Sequence, residues 1–195
     1  WVVLMTPKVA VDLDGVLFDF IGGIRFRLRD RWGIDMPRSD IVGNVSRLTG
    51  NPMVDQDLYQ QIFNPKFYYG LSVFPDVADR IRSLSDHANI YAITSRPPST
   101  RKVTMLRLSS DFPAIIDLHH TSRKPRMAKA LGIRYAVEDH APTAESYSKN
   151  RIRTWLVHSG ESLELKRNRL LKVVGSTSEA LEEIESRCRM RTLSI

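Results

Sequence analysis

Five short apolar runs rich in β-branched residues recur along the chain: Val9–Leu13, Ile90–Thr94, Ile115–Leu118, Tyr135–Val137 and Ile152–Val157. They read as continuous rather than alternating runs, the pattern of strands buried on both faces of a parallel sheet. Between the later runs, apolar positions recur at helical spacing. Val77, Ile81 and Leu84 form one set and Val103, Met105 and Leu106 another. A third set, Met127, Ala128 and Leu131, ends at Gly132, a suitable C-terminal cap. Thr143, or Ser146 a turn later, is the expected start of a short helix ahead of Lys149 and Asn150. The stretch from Ser176, with Ala180, Leu181 and Ile184, predicts a last amphipathic helix. Strands alternating with short helices imply an α/β fold, a Rossmann-like doubly wound parallel sheet.

One interval breaks the alternation. Residues 21–74 carry aromatics, Arg and Gln but no clear strand. Ile24, Phe26, Leu28 and Trp32 suggest one helix there. Leu58, Tyr59, Ile62 and Phe63 suggest a second, ended by Asn64-Pro65. A small helical cap inserted after the first strand would overhang the carboxyl edge of the sheet. The expected division is therefore a core of residues 1–20 and 75–195, with 21–74 as the cap.

Composition narrows the class. The chain has 195 residues, of which 42% are hydrophobic and 26% charged, values of a globular protein able to bury an ordinary core. No apolar run reaches the roughly 20 residues that span a bilayer. The opening Trp1–Pro7 lacks the charged leader of a secretory signal, and Cys188 has no second cysteine to pair with. The expectation is a cytoplasmic protein without a membrane partner. The net charge of +7 favours anionic partners, nucleic acid among them, although no block of contiguous like charge forms a tail.

Candidate chemistry gathers at the strand ends. Val9-Ala-Val-Asp12-Leu-Asp14-Gly15 places two carboxylates two residues apart where a buried strand enters a tight turn. Ligands of open α/β sheets bind at that edge. Two acids crowded there repel unless a cation lies between them or one is protonated. That arrangement suits a Mg²⁺ site with one nucleophilic carboxylate and one proton donor. Thr94, Ser95 and Arg96 follow the second strand and could bind phosphate oxygens. Lys124 precedes a helix and could neutralise a phosphoryl group, within a run that also holds Arg123, Arg126 and Lys129. Glu138 and Asp139 end another strand and could complete an oxygen site.

In order and placement these pieces resemble the haloacid dehalogenase superfamily from about Val9 to Val157. More narrowly, Asp12-Leu-Asp-Gly-Val-Leu-Phe-Asp-Phe20, Ile93-Thr-Ser-Arg-Pro97, Lys124 and Val137-Glu-Asp-His-Ala-Pro-Thr-Ala144 resemble the 5′(3′)-deoxyribonucleotidases. The resemblance implies a Mg²⁺-dependent phosphomonoesterase acting on a small phosphorylated substrate such as a nucleoside monophosphate. It makes Asp12 the nucleophile and Asp14 the acid and base, with the Asp14 backbone carbonyl on the metal. It gives Thr94, Lys124 and Ser95 to the phosphoryl group and Asp139 to the metal, with Glu138 beside it directly or through water. Phe20 matches an aromatic beside the substrate pocket, and Arg96 stands where smaller residues are common.

Departures bear on specificity. Trp155-Leu-Val-His-Ser-Gly160 lacks the Asp and the aromatic–Asn pair expected there, and Ile21 replaces an acid. A polynucleotide end phosphatase, or a non-catalytic phosphate- or nucleic-acid-binding module on the same fold, are the alternatives. His119-His120 reads as a polar strand exit, His140 as a surface loop, and Trp32, Tyr68 and Tyr69 as core packing or base-stacking groups.

Overall fold

A computed structural model describes residues 6–41, 47–158 and 168–192. Strand β1 (Lys8–Val11) lies mid-sheet, paired in parallel with β2 (Asn89–Thr94) on one side and β4 (Tyr135–Glu138) on the other. Strand β3 (Ile115–His120) flanks β2, and β5 (Arg153–Val157) flanks β4. A further strand, β6 (Leu171–Val174), closes the sheet beyond β5 and was not anticipated from the sequence. The order β3-β2-β1-β4-β5-β6, all parallel, is the doubly wound arrangement. Its reversal point lies at β1, so the loops after β1, β2 and β4 share one crevice.

The central strands are buried because both faces are covered. Val9, Val11, Ile90, Ala92 and Ala136 expose 1% or less. The covering helices are α4 (Val77–Ser85), α5 (Arg101–Asp111), α6 (Lys124–Leu131), α7 (Ala141–Lys149) and α8 (Thr177–Thr192). Helix α6 ends as expected on Gly132, whose φ of 70° is the left-handed conformation a C-terminal cap needs. Ala180, Leu181 and Ile184 are fully buried along α8, and so is Cys188, which the sequence placed in a polar stretch.

Two expectations need correction. Helix α7 starts at Ala141, not at Thr143 or Ser146, because Pro142 fits the first turn and His140 serves as the extended residue before it. Helix α5 forms, but it buries Val103, Thr104 and Leu108, leaving Met105 and Leu106 about half exposed.

Residues after β1 leave the sheet through a tight turn in which Leu17 and Phe18 both donate to the Leu13 carbonyl, each at 2.8 Å. Helix α1 (Phe20–Trp32) follows, its first turn capped by Asp19 accepting from the Gly22 N–H at 2.8 Å. Helix α2 (Pro52–Gln61) carries Leu58 into the core. Asn64-Pro65 ends that segment and also begins α3 (Pro65–Tyr69), with Asn64 as its cap. The chain returns where it left: Phe18 and Val73 form an antiparallel bridge, the Asp19 N–H donates to Ser72 and the Phe74 N–H to Leu17. Arg107 on α5 grips the returning end, donating to the carbonyls of Tyr68, Tyr69 and Leu71. Side chains of α1, α2 and α3 share one apolar cluster with those of β1, β2 and α8. Among the described residues no helix is long and apolar enough to cross a membrane.

Candidate active site

Parallel pairing brings the carboxyl ends of β1, β2 and β4 to one crevice. Asp12 follows β1, and its N–H donates to Val137 of β4 at 3.0 Å, which sets the height of the first carboxylate. Glu138 ends β4 fully buried, and Asp139 follows it on the rim. Carboxylate oxygens of Asp12, Glu138 and Asp139 all lie within 4.8 Å of one another. Lys124, the first residue of α6 and itself buried, sits against them. Its ammonium is 2.7 Å from Asp12 Oδ2 and 3.1 Å from Glu138 Oε2. The second Glu138 oxygen accepts from the backbone N–H groups of Asp139 and His140, each at 3.2 Å.

Gly15 makes the close approach possible. Its φ is +77°, and a Cβ at that position would lie 1.9 Å from Asp139 Oδ2. The acidic loop after β4 therefore rests directly on the backbone of the loop after β1.

The electrostatics follow from this crowding. Burial pushes Glu138 well above the usual carboxylate range, and the Asp12 charge adds to it. Burial and then Asp12 raise Asp139 to about 7. Solvent reaches Asp139 from the open side, which tempers the rise from burial and leaves the Asp12 carboxylate as the firmer cause. Lys124 is pushed the other way from an ordinary buried amine: burial opposes its charge, but Asp12 and Glu138 outweigh it and keep the ammonium protonated. One cation thus serves three carboxylates, and the set is short of positive charge.

A hard divalent ion fits that deficit. Asp12, Glu138 and Asp139 offer oxygen donors only, converging on one point with no nitrogen or sulfur among them, which is the donor chemistry of Mg²⁺.

Asp14 is not in that trio. Both its carboxylate oxygens are taken by Arg96, at 2.7 Å from Nη2 and 2.9 Å from Nε. Arg96 is only 4% exposed. Its guanidinium lies 4.5 Å from the Tyr68 ring centre and 5.0 Å from that of Phe18, and its Nη1 donates to Thr104 at 3.2 Å. Burial raises Asp14 above its ordinary value, with the Arg96 charge and hydrogen bond pulling against the rise. Thr94 is buried at the end of β2, its hydroxyl accepting from the Arg96 N–H at 3.1 Å. Ser95 is exposed beside it, donating to the Thr121 carbonyl at 3.3 Å.

The structure therefore brings Asp12, Lys124, Glu138 and Asp139 together and sets Asp14 and Arg96 beside them as a pair. Arg96 reaches Asp14 rather than open solvent. Half-buried Phe20 packs edge-on against Phe67 of α3, ring centres 5.5 Å apart. Tyr68 covers Arg96 from the insertion, while Tyr69 is mostly exposed and Trp32 donates to Asp57 at 3.2 Å. Arg123, Arg126 and Lys129 are exposed, unlike Lys124. Of the Trp155–Gly160 stretch, the last two residues lie outside the described residues. Sequence reasoning missed the Arg96–Asp14 pair. Its only signal was an arginine where a strand ends and a proline follows.

Residues 6–124 match the family model described as 5′ nucleotidase, deoxy (Pyrimidine), cytosolic type C protein. The chain belongs to that family. The matched span contains Asp12, Asp14, Thr94 and, as its last residue, Lys124. Similar solved structures carry the haloacid dehalogenase fold. One is a haloacid dehalogenase-like hydrolase from Streptococcus pneumoniae, at TM-score 0.64 and 14% identity over 91% of this chain and 98% of that one. Another is L-2-haloacid dehalogenase from Xanthobacter autotrophicus, with chloropropionic acid covalently bound, at TM-score 0.64 and 11% identity over 92% and 98%. A third is a haloacid dehalogenase-superfamily hydrolase of subfamily IA from Geobacter sulfurreducens, at TM-score 0.60 and 15% identity over 91% and 96%. No curated protein sequence matches.

Proposed function

We propose that the protein is a Mg²⁺-dependent cytoplasmic phosphomonoesterase that works through an aspartyl-phosphate and prefers 5′-deoxynucleoside monophosphates. The observation that carries this reading is the Asp12 carboxylate held 2.7 Å from a buried ammonium within a three-carboxylate cluster. Family membership supports the nucleotide as substrate.

Asp12, Glu138 and Asp139 would hold the metal, together with the Asp14 backbone carbonyl. Bound there, Mg²⁺ would neutralise phosphoryl oxygens and offset the acidic charge. The remaining work belongs to the chain. A carboxylate oxygen of Asp12 attacks phosphorus in line, forming an acyl phosphate as the bond to the ester oxygen breaks. Asp14 gives its proton to the departing alkoxide, for which its raised pKa suits it. It then takes a proton from the water that hydrolyses the acyl phosphate, which restores Asp12 and releases inorganic phosphate. Lys124 and the Thr94 hydroxyl steady the phosphoryl oxygens, with Ser95 assisting. Arg96 acts through Asp14, orienting its carboxylate, and Phe20 borders the substrate. The segment 21–74 serves as a cap that excludes water around the reacting group.

Phosphate release from deoxynucleoside monophosphates by wild type and Asp12→Asn tests the reading. The variant should remain folded at the assay temperature, as its circular dichroism checks, and lose about 10³-fold or more in kcat, since an amide is a poor nucleophile. Chelation of divalent metal should silence the wild type. Near wild-type turnover by the variant, or indifference to chelator, overturns the mechanism.

A further inference from the structure

The opposite edge of the sheet holds a second concentration of charge. Where β4 and β5 begin, a recess of about 380 Å³ is lined by Arg134, Tyr135, Arg151, Arg153, Leu170 and Arg187. The ladder itself assembles it. The Arg153 N–H donates to the Arg134 carbonyl at 3.1 Å, and the Thr154 N–H donates to Leu170 at 2.7 Å. Arg187 comes down from α8. Among the described residues its lining, which Met190 completes, has four guanidiniums and no carboxylate. Among the described residues, none of the four forms an ion pair, whereas Arg25, Arg38, Arg96 and Arg107 all do. Glu183, one turn before Arg187, is engaged by Trp155 Nε1 at 3.0 Å and by Lys172 and also feels the Arg187 charge, so Arg134, Arg151 and Arg153 are the less compensated of the four.

Two of these arginines are held by aromatic faces. The Arg134 guanidinium lies 5.7 Å from the Tyr135 ring centre and that of Arg187 5.8 Å from Trp155. Arg151 stands at φ 63°, a left-handed conformation unfavourable for a residue with a Cβ. A glycine or asparagine would relieve that strain, yet the position carries an arginine beside three others. Like charges gathered this way repel unless an anion joins them.

We propose that this recess is a second anion-binding site, separate from the catalytic crevice, for a small ligand bearing a di- or triphosphate group. Guanidinium forks bind phosphoryl oxygens in pairs, and a chain of two or three phosphoryl groups offers four forks spread along a recess more oxygens to share than one group does. The concave shape and modest volume suit a small molecule better than the convex backbone of a duplex. Free polyphosphate and a nucleoside triphosphate share this chemistry.

Calorimetric titration with inorganic pyrophosphate, at low salt and with chelator present, tests the site. Binding should persist in Lys124→Gln, which disables the catalytic crevice. It should weaken about tenfold or more in R151Q/R187Q, whose melting temperature reports an intact fold. If that double variant melts early, R134Q alone, at an exposed position, supplies the comparison. Equal affinity for tripolyphosphate and for a nucleoside triphosphate would assign recognition to the phosphate chain, and tighter binding of the nucleotide would extend the same site to the base. The proposal fails if the arginine variants bind as wild type does or if Lys124→Gln abolishes binding. It fails equally if orthophosphate binds as tightly as pyrophosphate, or if a phosphorylated oligonucleotide outcompetes it.

Discussion

Arg96 sets the working range of Asp14, because its charge and two hydrogen bonds oppose the rise that burial imposes on that carboxyl. Replacing it with methionine removes the opposing influence, so Asp14 should hold its proton to higher pH. The ionised form is needed to activate water, and the acidic limb of the kcat profile should therefore move toward alkaline pH. Turnover should fall by about 10²-fold, in the range of a mispositioned general acid–base. Arg96→Lys, which restores the charge without the fork, should recover part of the shift. An unchanged profile in the methionine variant would remove Arg96 from the mechanism. At this scale the sequence was informative about identities and silent about pairings. Asp12, Glu138 and Asp139 stand out because each sits where an apolar run ends, and Lys124 because it opens a helix within a basic run. The link between Asp14 and Arg96 spans 82 positions and depends on how far the side chain of Arg96 folds back under Tyr68.

At the scale of elements, the end of β4 carries a measurable cost. Asp139 is raised from 3.8 to about 7, so the folded metal-free protein holds that proton more tightly than the unfolded chain does. Its contribution is most favourable below the ordinary carboxylate range and is lost as pH rises through about 7. With chelator present, the melting temperature should drop between pH 6 and 8 by an amount on the order of a few °C more in wild type than in Asp139→Asn. Added Mg²⁺ should reverse the drop at pH 8 only in the wild type. Parallel melts of the two proteins supply the comparison, and identical curves would refute it. The other element to probe is the return of the insertion. Arg107→Ala leaves three carbonyl groups of residues 68, 69 and 71 without their guanidinium donor and should destabilise the fold by about 1–3 kcal/mol. Hydrogen exchange should quicken along α3 before it does in the sheet. The central strands and most helices were readable because burial on both faces leaves uninterrupted apolar runs and Gly132 marks a stop, whereas β3, read as doubly buried, is an edge strand with Ile116 and Asp117 exposed. Strand β6 was missed because Leu171-Lys172-Val173-Val174 is broken by a lysine, with Lys172 and Val173 exposed on the edge of the sheet. Helix α5 was read with the wrong face because Val103, Met105 and Leu106 cannot all lie on one stripe.

For the whole molecule, the open question between substrates is one of access against charge. A segment of residues 21–74 beside the catalytic crevice suits a nucleoside monophosphate, while a net charge of +7 suits a longer polyanion. The cover should win. Deoxynucleoside monophosphates should be hydrolysed with a higher kcat/KM than 5′-phosphorylated oligonucleotides, and with weak dependence on salt, because few phosphates are contacted. Measurement of both substrates at low and moderate ionic strength decides the matter. A preference for the oligonucleotide that fades as salt is added would assign the protein to polynucleotide ends. Four of the arginines lie at the far edge of the sheet, where screening over a Debye length of about 10 Å leaves them little influence on the crevice.

Gly15 carries a consequence for how this crevice can vary. The gap between the loops after β1 and β4 is as narrow as a bare backbone permits, since the Asp139 carboxylate already fills the volume of the missing methyl group. The spacing of the acids is thus gauged by the thickness of one peptide, with no side chain as a shim. A side chain at position 15 would have to push the Asp139 carboxylate out of its place among the acids. Position 15 is therefore closed to a side chain on two counts, the left-handed φ and the Asp139 carboxylate, and trimming residue 139 to make room would remove one of the three acids.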